Sequence, residues 1–174
     1  MEGFLNPNQV LGHLKLKSNM VAADFGSGSG GWVIPLAKIL QSGSVYAIDI
    51  LEEPLSALRS KVNLEKIGNV RTIRSNIENE NGSTLHNSSV DSVLITNLLF
   101  QTRKKKEIFE EAKRILKSGG KILVVDWKEG SPQGPIENRV SEKEVKEIAK
   151  NVGFDLEKEF EAGIYHYGLV FRAP

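Results

Sequence analysis

The chain contains no cysteine, and this absence excludes several classes of function at once. Structural disulfides, thiolate metal sites and a cysteine nucleophile are all impossible. The three histidines are scattered along the sequence, so a metal site built from histidines is not expected either. We therefore predict no metal centre.

The chain also lacks an excess of positive or negative charge, and it lacks long apolar runs. The 23 Lys and Arg residues against 22 Asp and Glu leave a net charge of +1, so no bulk attraction to nucleic acid or membrane is expected. No run approaches the roughly 18 apolar residues of a membrane span, and the N-terminus has no apolar signal region. These absences predict a cytoplasmic protein without a membrane span. A length of 174 residues suits one domain over 1–174, with residues 1–18 as a helical lead.

Glycine is concentrated in one short stretch. Val21–Asp24 has the character of a buried strand, and a helix is predicted from about Trp32. Between them lie four glycines, at positions 26, 28, 30 and 31. Glycine allows positive φ and close approach of a ligand, and a helix start offers unpaired N–H groups. The stretch is therefore typical of a site for a polar or anionic small molecule at the carboxyl edge of a sheet.

Two ligands fit this spacing. Gly26-x-Gly28-x-x-Gly31 matches the dinucleotide pattern, whereas Asp24-x-Gly26-x-Gly28-x-Gly30 matches the acidic-x-G-x-G-x-G pattern of S-adenosylmethionine sites. Asp24 favours the second, because a carboxylate is unfavourable beside a pyrophosphate and favourable beside an ammonium group. A tight turn without a ligand remains the third alternative, although four glycines exceed what a turn needs.

Two later strand ends extend the predicted site. A second strand over Ser44–Asp49 ends in a carboxylate that can bind both hydroxyls of an adenosine ribose, which NAD and S-adenosylmethionine share. A third strand over Val70–Arg74 is followed by Asn76 and Ile77. Asn76 is placed to bond the adenine amino group, with Ile77 packing on the ring. A simple loop is the alternative for this pair.

The remaining pattern alternates helices and strands. Helices are predicted from about Pro7 to Leu16, Trp32 to Leu40, Glu52 to Ile67, Gln101 to Leu116 and Ser141 to Val152. Further strands are predicted over 20–25 (the first), 90–95, 121–127, 154–161 and 164–172, the last two joined by a two-residue link at 162–163. Residues 79–89 are expected to form a loop, and 128–140 a loop over the active edge. The basic run 103–106 falls at a helix start, where cations are unfavourable. It marks an anion or RNA contact or, as we favour, a solvated face.

Four segments together resemble the class I S-adenosylmethionine-dependent methyltransferases, the broad group that includes the ubiquinone and menaquinone biosynthesis enzymes. They are Ala23–Gly30, Val45–Asp49, Ser89–Leu94 and Glu111–Lys121, and the resemblance extends over roughly residues 10–172. It implies an α/β fold, a Rossmann-like three-layer sandwich. Its seven-stranded sheet would have the order 3-2-1-4-5-7-6, with strand 7 antiparallel.

The resemblance also implies roles for individual residues. Asp24 and the glycines 26, 28 and 30 would hold the methionine end, Asp49 the ribose and Asn76 the adenine, where the family often has aspartate. The implied cofactor is S-adenosylmethionine. All candidate cofactor contacts are Asp24, Phe25, Gly26, Ser27, Gly28, Gly30, Asp49, Ile50, Asn76, Ile77 and Asn97.

Methyl transfer from a sulfonium is an in-line displacement, so alignment and desolvation matter most and a general base is needed only for some acceptors. Candidate catalytic residues lie at predicted strand ends: His166, Tyr165, Asp126 and Asn97. His166 could act as a base near neutral pH, or be a partly exposed strand residue without a role.

Missing motifs narrow the acceptor. The segment Thr96–Leu99 lacks the Asn/Asp-Pro-Pro-aromatic motif of amino-methylating DNA enzymes, and without cysteine the thiol-dependent cytosine-C5 and arsenite methyltransferases are excluded. A small-molecule acceptor is expected, while nucleic acid or protein acceptors, and a monomer or homodimer, stay open. The alternatives are a non-catalytic S-adenosylmethionine-binding module and an NAD-dependent oxidoreductase. The oxidoreductase is disfavoured by Asp24, by the terminal hairpin and by the lack of a substrate-binding half.

Overall fold

One seven-stranded sheet runs through the computed structural model, which describes residues 3–174. Its spatial order is β3-β2-β1-β4-β5-β7-β6, and β7 runs antiparallel to both β5 and β6. This confirms the predicted order and the antiparallel seventh strand. The strands are β1 (Val21–Phe25), β2 (Ser44–Asp49), β3 (Val70–Arg74), β4 (Val90–Thr96), β5 (Leu116–Trp127), β6 (Asp155–Glu161) and β7 (His166–Arg172).

Helices cover both faces of the sheet. They are α1 (Pro7–Leu11), α2 (Val33–Ile39), α3 (Glu52–Leu64), α4 (Lys105–Ile115) and α5 (Glu142–Val152). Successive β1 residues enter different cores: Ala22 packs with residues of α1, α2 and α3, and Ala23 with residues of α4 and α5. This alternation follows from the two-residue period of a strand. None of the helices among residues 3–174 has the length and apolar character needed to cross a bilayer.

Several predicted helix boundaries were too wide. The first helix ends at Leu11 and continues only as a 3₁₀ turn over Gly12–Leu14, after which Lys15 takes a left-handed conformation with φ +53°. The helix predicted from Gln101 begins four residues later, because Leu99–Gln101 forms a 3₁₀ turn and Thr102 is extended. The backbone N–H of Lys104 donates to the Thr102 hydroxyl instead of extending the helix upstream.

Strand predictions failed at two turns. Leu116 pairs with Val90 while Lys121 pairs with Ser92, so residues 117–120, which lie between the predicted helix and the predicted strand 121–127, form an excursion inside β5. The link between β6 and β7 covers residues 162–165, longer than the predicted two residues. Tyr165 therefore belongs to this turn and not to a strand.

The predicted loop over 79–89 contains neither helix nor strand and is held by a buried ion pair. Glu111 of α4 is 4% exposed, accepts from the Ser83 backbone N–H and bonds Arg114 at 2.6 Å. Arg114 also donates to the backbone carbonyl of Leu85 and the side chain of Asn87. Burial acts to raise the pKa of Glu111, but the hydrogen bonds from Arg114 and Ser83 outweigh it and hold the pKa below its ordinary value.

Replacing Glu111 with glutamine tests this anchor. Because the folded-state pKa is lowered, the carboxylate contributes stability above its unfolded pKa of about 4.5, and this is lost as the pH falls through the folded value. We expect Glu111→Gln to lower the free energy of unfolding by about 1.5–3 kcal/mol at pH 7. The deficit should shrink below pH 4, as measured by denaturant unfolding. Glu110→Gln, which removes an exposed surface pair, should stay within about 0.5 kcal/mol. A deficit independent of pH would contradict the account.

Candidate functional site

A cleft of about 360 Å³ opens at the carboxyl ends of β1, β2 and β3. Its volume lies within the range of roughly 300–1,000 Å³ of small-molecule sites. It sits where an open α/β sheet binds ligands, beside the point at which the strand order reverses between β1 and β4. Six of the predicted cofactor contacts line it: Gly26, Gly28, Asp49, Ile50, Asn76 and Ile77.

The glycine turn uses the spacing that begins at Asp24. Gly26, Gly28 and Gly30 have φ of +69°, +52° and +93°, which L side chains rarely adopt, whereas Gly31 does not have positive φ. A Cβ on Gly30 would lie 2.4 Å from the Leu58 side chain, so this glycine lets the turn pack against α3. A Cβ on Gly28 would meet nothing within 4 Å and would project into open space at the cleft. The third required glycine is therefore Gly30, as in the S-adenosylmethionine pattern.

Asp49 fastens this turn to the end of β2. One carboxylate oxygen accepts from the Gly28 backbone N–H at 2.8 Å, and the other accepts from the Leu51 backbone N–H at 2.9 Å. Each oxygen of a carboxylate can accept a second hydrogen bond. Asp49 lines the cleft and can thus also bind hydroxyl groups of a ligand.

The far end of the cleft is largely apolar. Ile77 is almost buried, while Ile50 and Leu51 are 54% and 60% exposed at the mouth. Asn76 lies among them, and its side-chain oxygen accepts from the backbone N–H of Glu78 at 2.9 Å. Exposed apolar side chains grouped beside a polar one suit a flat heteroaromatic ring.

Asp24, two residues before Gly26, does not itself line the cleft but is the most unusual group beside it. Its carboxyl has no exposed surface and no hydrogen-bond partner among the described residues. Burial, and secondly the charge of Asp49, raises the pKa of Asp24 to about 8. A buried carboxyl without partners requires a proton or a cation, so this position fits the ammonium of an amino-acid ligand.

Two further polar atoms lack partners near Asp24. The Ser27 hydroxyl and the Asn97 side-chain oxygen are buried and make no hydrogen bond within residues 3–174. Phe25 pairs with Ile95 in the sheet, so Ser27 and Asn97, each two residues further on, leave neighbouring strands at the same edge. Asn97 has φ +50°, a strained conformation that asparagine tolerates better than most residues. Phe25 itself is fully buried in the core, so only its backbone is available to a ligand.

The candidate catalytic residues differ in their surroundings. Asp126 is fully buried, and its oxygens accept from the backbone N–H groups of Trp127 at 2.8 Å and Leu99 at 3.0 Å. Burial raises its pKa to about 6 against the opposing effect of these bonds. Asp126 thus anchors the chain that follows β4 through both of its oxygens.

His166 and Tyr165 lie further along the same edge. His166 is 5% exposed, not partly exposed as one alternative held, and its ring lies 4.0 Å from that of Trp127. Burial, and secondly Lys128, lowers its pKa to about 4, so the imidazole is neutral at pH 7. Tyr165 is half-buried, with its ring 6.3 Å from that of Phe4.

Sequence reasoning missed one wall of the cleft. It is formed by Leu98, Gln101, Thr102 and Ile108. A Cβ on Gly26 would lie 2.9 Å from the Leu98 side chain, so Leu98 closes directly over the turn. The sequence pattern predicts Gln101 as the start of a helix, because a 3₁₀ turn such as Leu99–Gln101 leaves no distinct pattern of its own. The sequence did carry one signal for this wall, the apolar run Leu98–Phe100 directly after β4. A helix that only began at a polar edge of the sheet would not need apolar residues there.

Comparison with known proteins agrees with this geometry. A family model described as a methyltransferase domain matches residues 16–163. A S-adenosylmethionine-dependent methyltransferase from Aquifex aeolicus is 29% identical, with a TM-score of 0.89 over 98% of this chain and 90% of that one. A Sulfolobus solfataricus protein assigned to the type 11 methyltransferases is 27% identical, with a TM-score of 0.76 over 98% and 94%.

A third similar structure shares only the fold. The cyclase SpnF is 13% identical, with a TM-score of 0.82 over 97% of this chain and 79% of that one. The family model, in contrast, covers most of the chain. The unpartnered carboxyl of Asp24 and the open backbone at Gly28 fit the cofactor of that family. The chain therefore belongs to the class I S-adenosylmethionine-dependent methyltransferases, and it is an enzyme that uses S-adenosylmethionine.

Proposed function

We propose that this enzyme transfers a methyl group to a small-molecule acceptor, which binds beside the segment 97–101 that forms one wall of the cleft. The observation that carries the proposal is the partnerless carboxyl of Asp24 at the glycine turn. It supports a bound cofactor whose amino-acid end lies at β1 and whose reacting end faces Asn97 and the chain after β4. The acceptor then approaches from the side of β5 and the turn at 162–165.

Each cofactor group has a proposed partner. Asp24 holds the ammonium, and the backbone at Gly26 and Gly28 lies against the methionine chain. Asp49 accepts from the ribose hydroxyls while it keeps the turn in place. The adenine lies between Ile77 and the exposed Ile50, with further polar contacts from Asn76. Ser27 and Asn97 supply two further buried polar atoms that have no partner among the described residues.

The chemistry asks mainly for alignment. The bound cofactor supplies a methyl group that the sulfonium has already activated. The residues around it orient the acceptor and exclude water, and well-oriented reactants are worth roughly 7–11 kcal/mol. Neither titratable candidate is a strong base in reach of a ligand: Asp126 has no exposed surface, and His166, whose Nε2 has no hydrogen-bond partner among residues 3–174, has a pKa of only about 4. The acceptor is accordingly one whose attacking atom carries an available lone pair at neutral pH.

The direct test is transfer from methyl-labelled S-adenosylmethionine to pools of small amines, phenols, carboxylates and phosphate esters. Label in a small-molecule product supports the proposal. Label found only in added protein or RNA would contradict a small-molecule acceptor. Tight cofactor binding without any labelled product would favour a non-catalytic binding module.

Glycine substitutions distinguish the two spacing patterns. Gly28→Ala places a methyl group in the cleft at φ +52°, whereas Gly31→Ala meets no atom within 4 Å and has no unusual φ. We expect Gly28→Ala to weaken S-adenosylhomocysteine binding about tenfold or more, because its Cβ occupies ligand space. Gly31→Ala should bind like the parent protein, as measured by calorimetry. Weakening by Gly31→Ala alone would instead support the dinucleotide pattern.

Proton release tests the role of Asp24. With a pKa of about 8, its carboxyl is mostly protonated at pH 7 in the free protein. An ammonium group bound beside it favours the ionised form, so binding of S-adenosylhomocysteine should release about one proton. Calorimetry in buffers of different ionisation enthalpy measures this number. Asp24→Asn should release none and bind at least about tenfold more weakly. No proton release from the parent protein would contradict the assignment.

Stability provides an independent control on the same group. Because the folded pKa is raised, the protonated carboxyl contributes stability that is fully present below about pH 4 and is lost as the pH rises through 8. The free energy of unfolding of the free protein should thus fall between these values, by at most on the order of 1 kcal/mol per pH unit from this group. Asp24→Asn should lack this contribution. An unchanged pH profile in the variant would show that Asp24 is not the titrating group.

A further inference from the structure

The basic run at 103–106 and the loop over 128–140 meet at a second cavity. This cavity has a volume of about 200 Å³ and shares Gln101 and Thr102 with the cofactor cleft. Arg103 and Lys105 line it from the start of α4, and Asn138 and Arg139 line it from the loop. Two sequence features without an assigned role thus form one site next to the place where the methyl group is transferred.

The charge of this cavity is positive and poorly neutralised. None of its lining residues is acidic. Arg103 is exposed and forms no ion pair with any residue in 3–174. Lys105 donates to the Thr102 carbonyl at 3.1 Å, and its ion pair with Glu144 is long, at 3.8 Å.

Arg139 adds a third cation with neutral partners. Its guanidinium donates only to backbone carbonyls of its own loop, and no carboxylate pairs with it in the described part of the chain. These hydrogen bonds hold the guanidinium in one position, so its positive charge stays at the cavity. The carbonyls belong to Lys128, Glu129, Ser131, Gln133 and Pro135.

The start of α4 makes the excess of positive charge more costly. Lys104 is the N-cap, and no side chain caps the eleven-residue helix. The positive end of the helix dipole therefore coincides with cationic side chains, an unfavourable combination. Glu107, the acidic residue of the first turn, lines a different cavity together with Glu110. An anion bound in the basic cavity would offset both costs.

We propose that this cavity is the acceptor subsite for an oxyanion, and that the methyl acceptor is a small molecule with a carboxylate or phosphate group. The proposal rests on the proposed methyl transfer and specifies its substrate class. The oxyanion binds to Arg103 and Lys105, with Arg139 as the fixed charge, while the rest of the molecule extends past Gln101 and Thr102 to the cofactor. A guanidinium suits such a group because its N–H donors match two oxygens at once.

The size and charge of the molecule favour a small acceptor over a nucleic acid. A volume of about 200 Å³ holds one oxyanion and a few more atoms. The net charge of the whole chain is only +1, so a continuous polyanion would meet many acidic residues outside the cavity.

Calorimetric titration with inorganic phosphate and with acetate, both with S-adenosylhomocysteine saturating, tests the subsite. We expect measurable binding of at least one anion to the parent protein. Arg103→Gln should weaken it about tenfold, and the double substitution with Lys105→Gln should weaken it further. The matched control is Arg71→Gln, which should leave anion binding unchanged. Arg71 is exposed and lies at the N-terminal end of β3, whereas the cleft lies at the carboxyl ends of the strands. S-adenosylhomocysteine should bind equally to all variants.

The outcomes separate this inference from the proposed function. Absence of phosphate and acetate binding, with intact S-adenosylhomocysteine binding, would overturn the subsite alone. If Arg71→Gln weakened anion binding as much as Arg103→Gln does, the binding would reflect general surface charge, and the subsite would also be overturned. An RNA oligonucleotide that binds far more tightly than phosphate and loses affinity in Arg103→Gln would overturn the small-molecule acceptor in favour of RNA. Failure of S-adenosylhomocysteine itself to bind would contradict the proposed function.

Discussion

Asp24 is the last residue but one of the inner strand β1, and its carboxyl group has no exposed surface and no hydrogen-bond partner among the described residues. Burying such a group opposes folding unless it keeps a proton or gains a cation. The surrounding described residues provide no such cation. The glycine turn keeps side chains away, Asp49 adds a second negative charge, and no described lysine or arginine pairs with Asp24. The free protein therefore carries a local cost, as is common at functional sites, and in the proposed function the ammonium of the cofactor relieves it.

The carboxyl groups of Asp24 and Asp49 differ in burial and in hydrogen bonding. Asp24 is fully buried and its pKa is raised to about 8, whereas Asp49 is half-buried and accepts two backbone N–H groups. A third carboxylate, Asp126, holds the chain after β4 by the backbone N–H of Leu99. That anchor positions the wall formed by Leu98 and Gln101, and through Thr102 the start of α4. Cofactor cleft and basic cavity are thus joined by one short segment.

Much of the lining of the cleft was predictable because its signals are local. Glycines with positive φ, and acidic residues at the ends of buried strands, leave a direct mark in the sequence, so Asp24, Gly28 and Asn76 could be named beforehand. The 3₁₀ turn at Leu99–Gln101 could not, since its residues also suit a helix and its position depends on the distant Asp126. The hydrogen bonds of Arg139 could not be predicted from the sequence for a similar reason. Its guanidinium bonds the backbone of a loop whose path is set only by the folded chain.

The most direct test of the account is calorimetric titration of the protein with S-adenosylmethionine, S-adenosylhomocysteine and NAD, repeated on Asp49→Ala. The account predicts micromolar binding of the first two ligands and no comparable binding of NAD. It also predicts that Asp49→Ala weakens the binding of both, because the substitution removes the proposed acceptor of the ribose hydroxyls and the hydrogen bond to the Gly28 backbone N–H. Binding of NAD alone, or cofactor binding indifferent to Asp49, would contradict it.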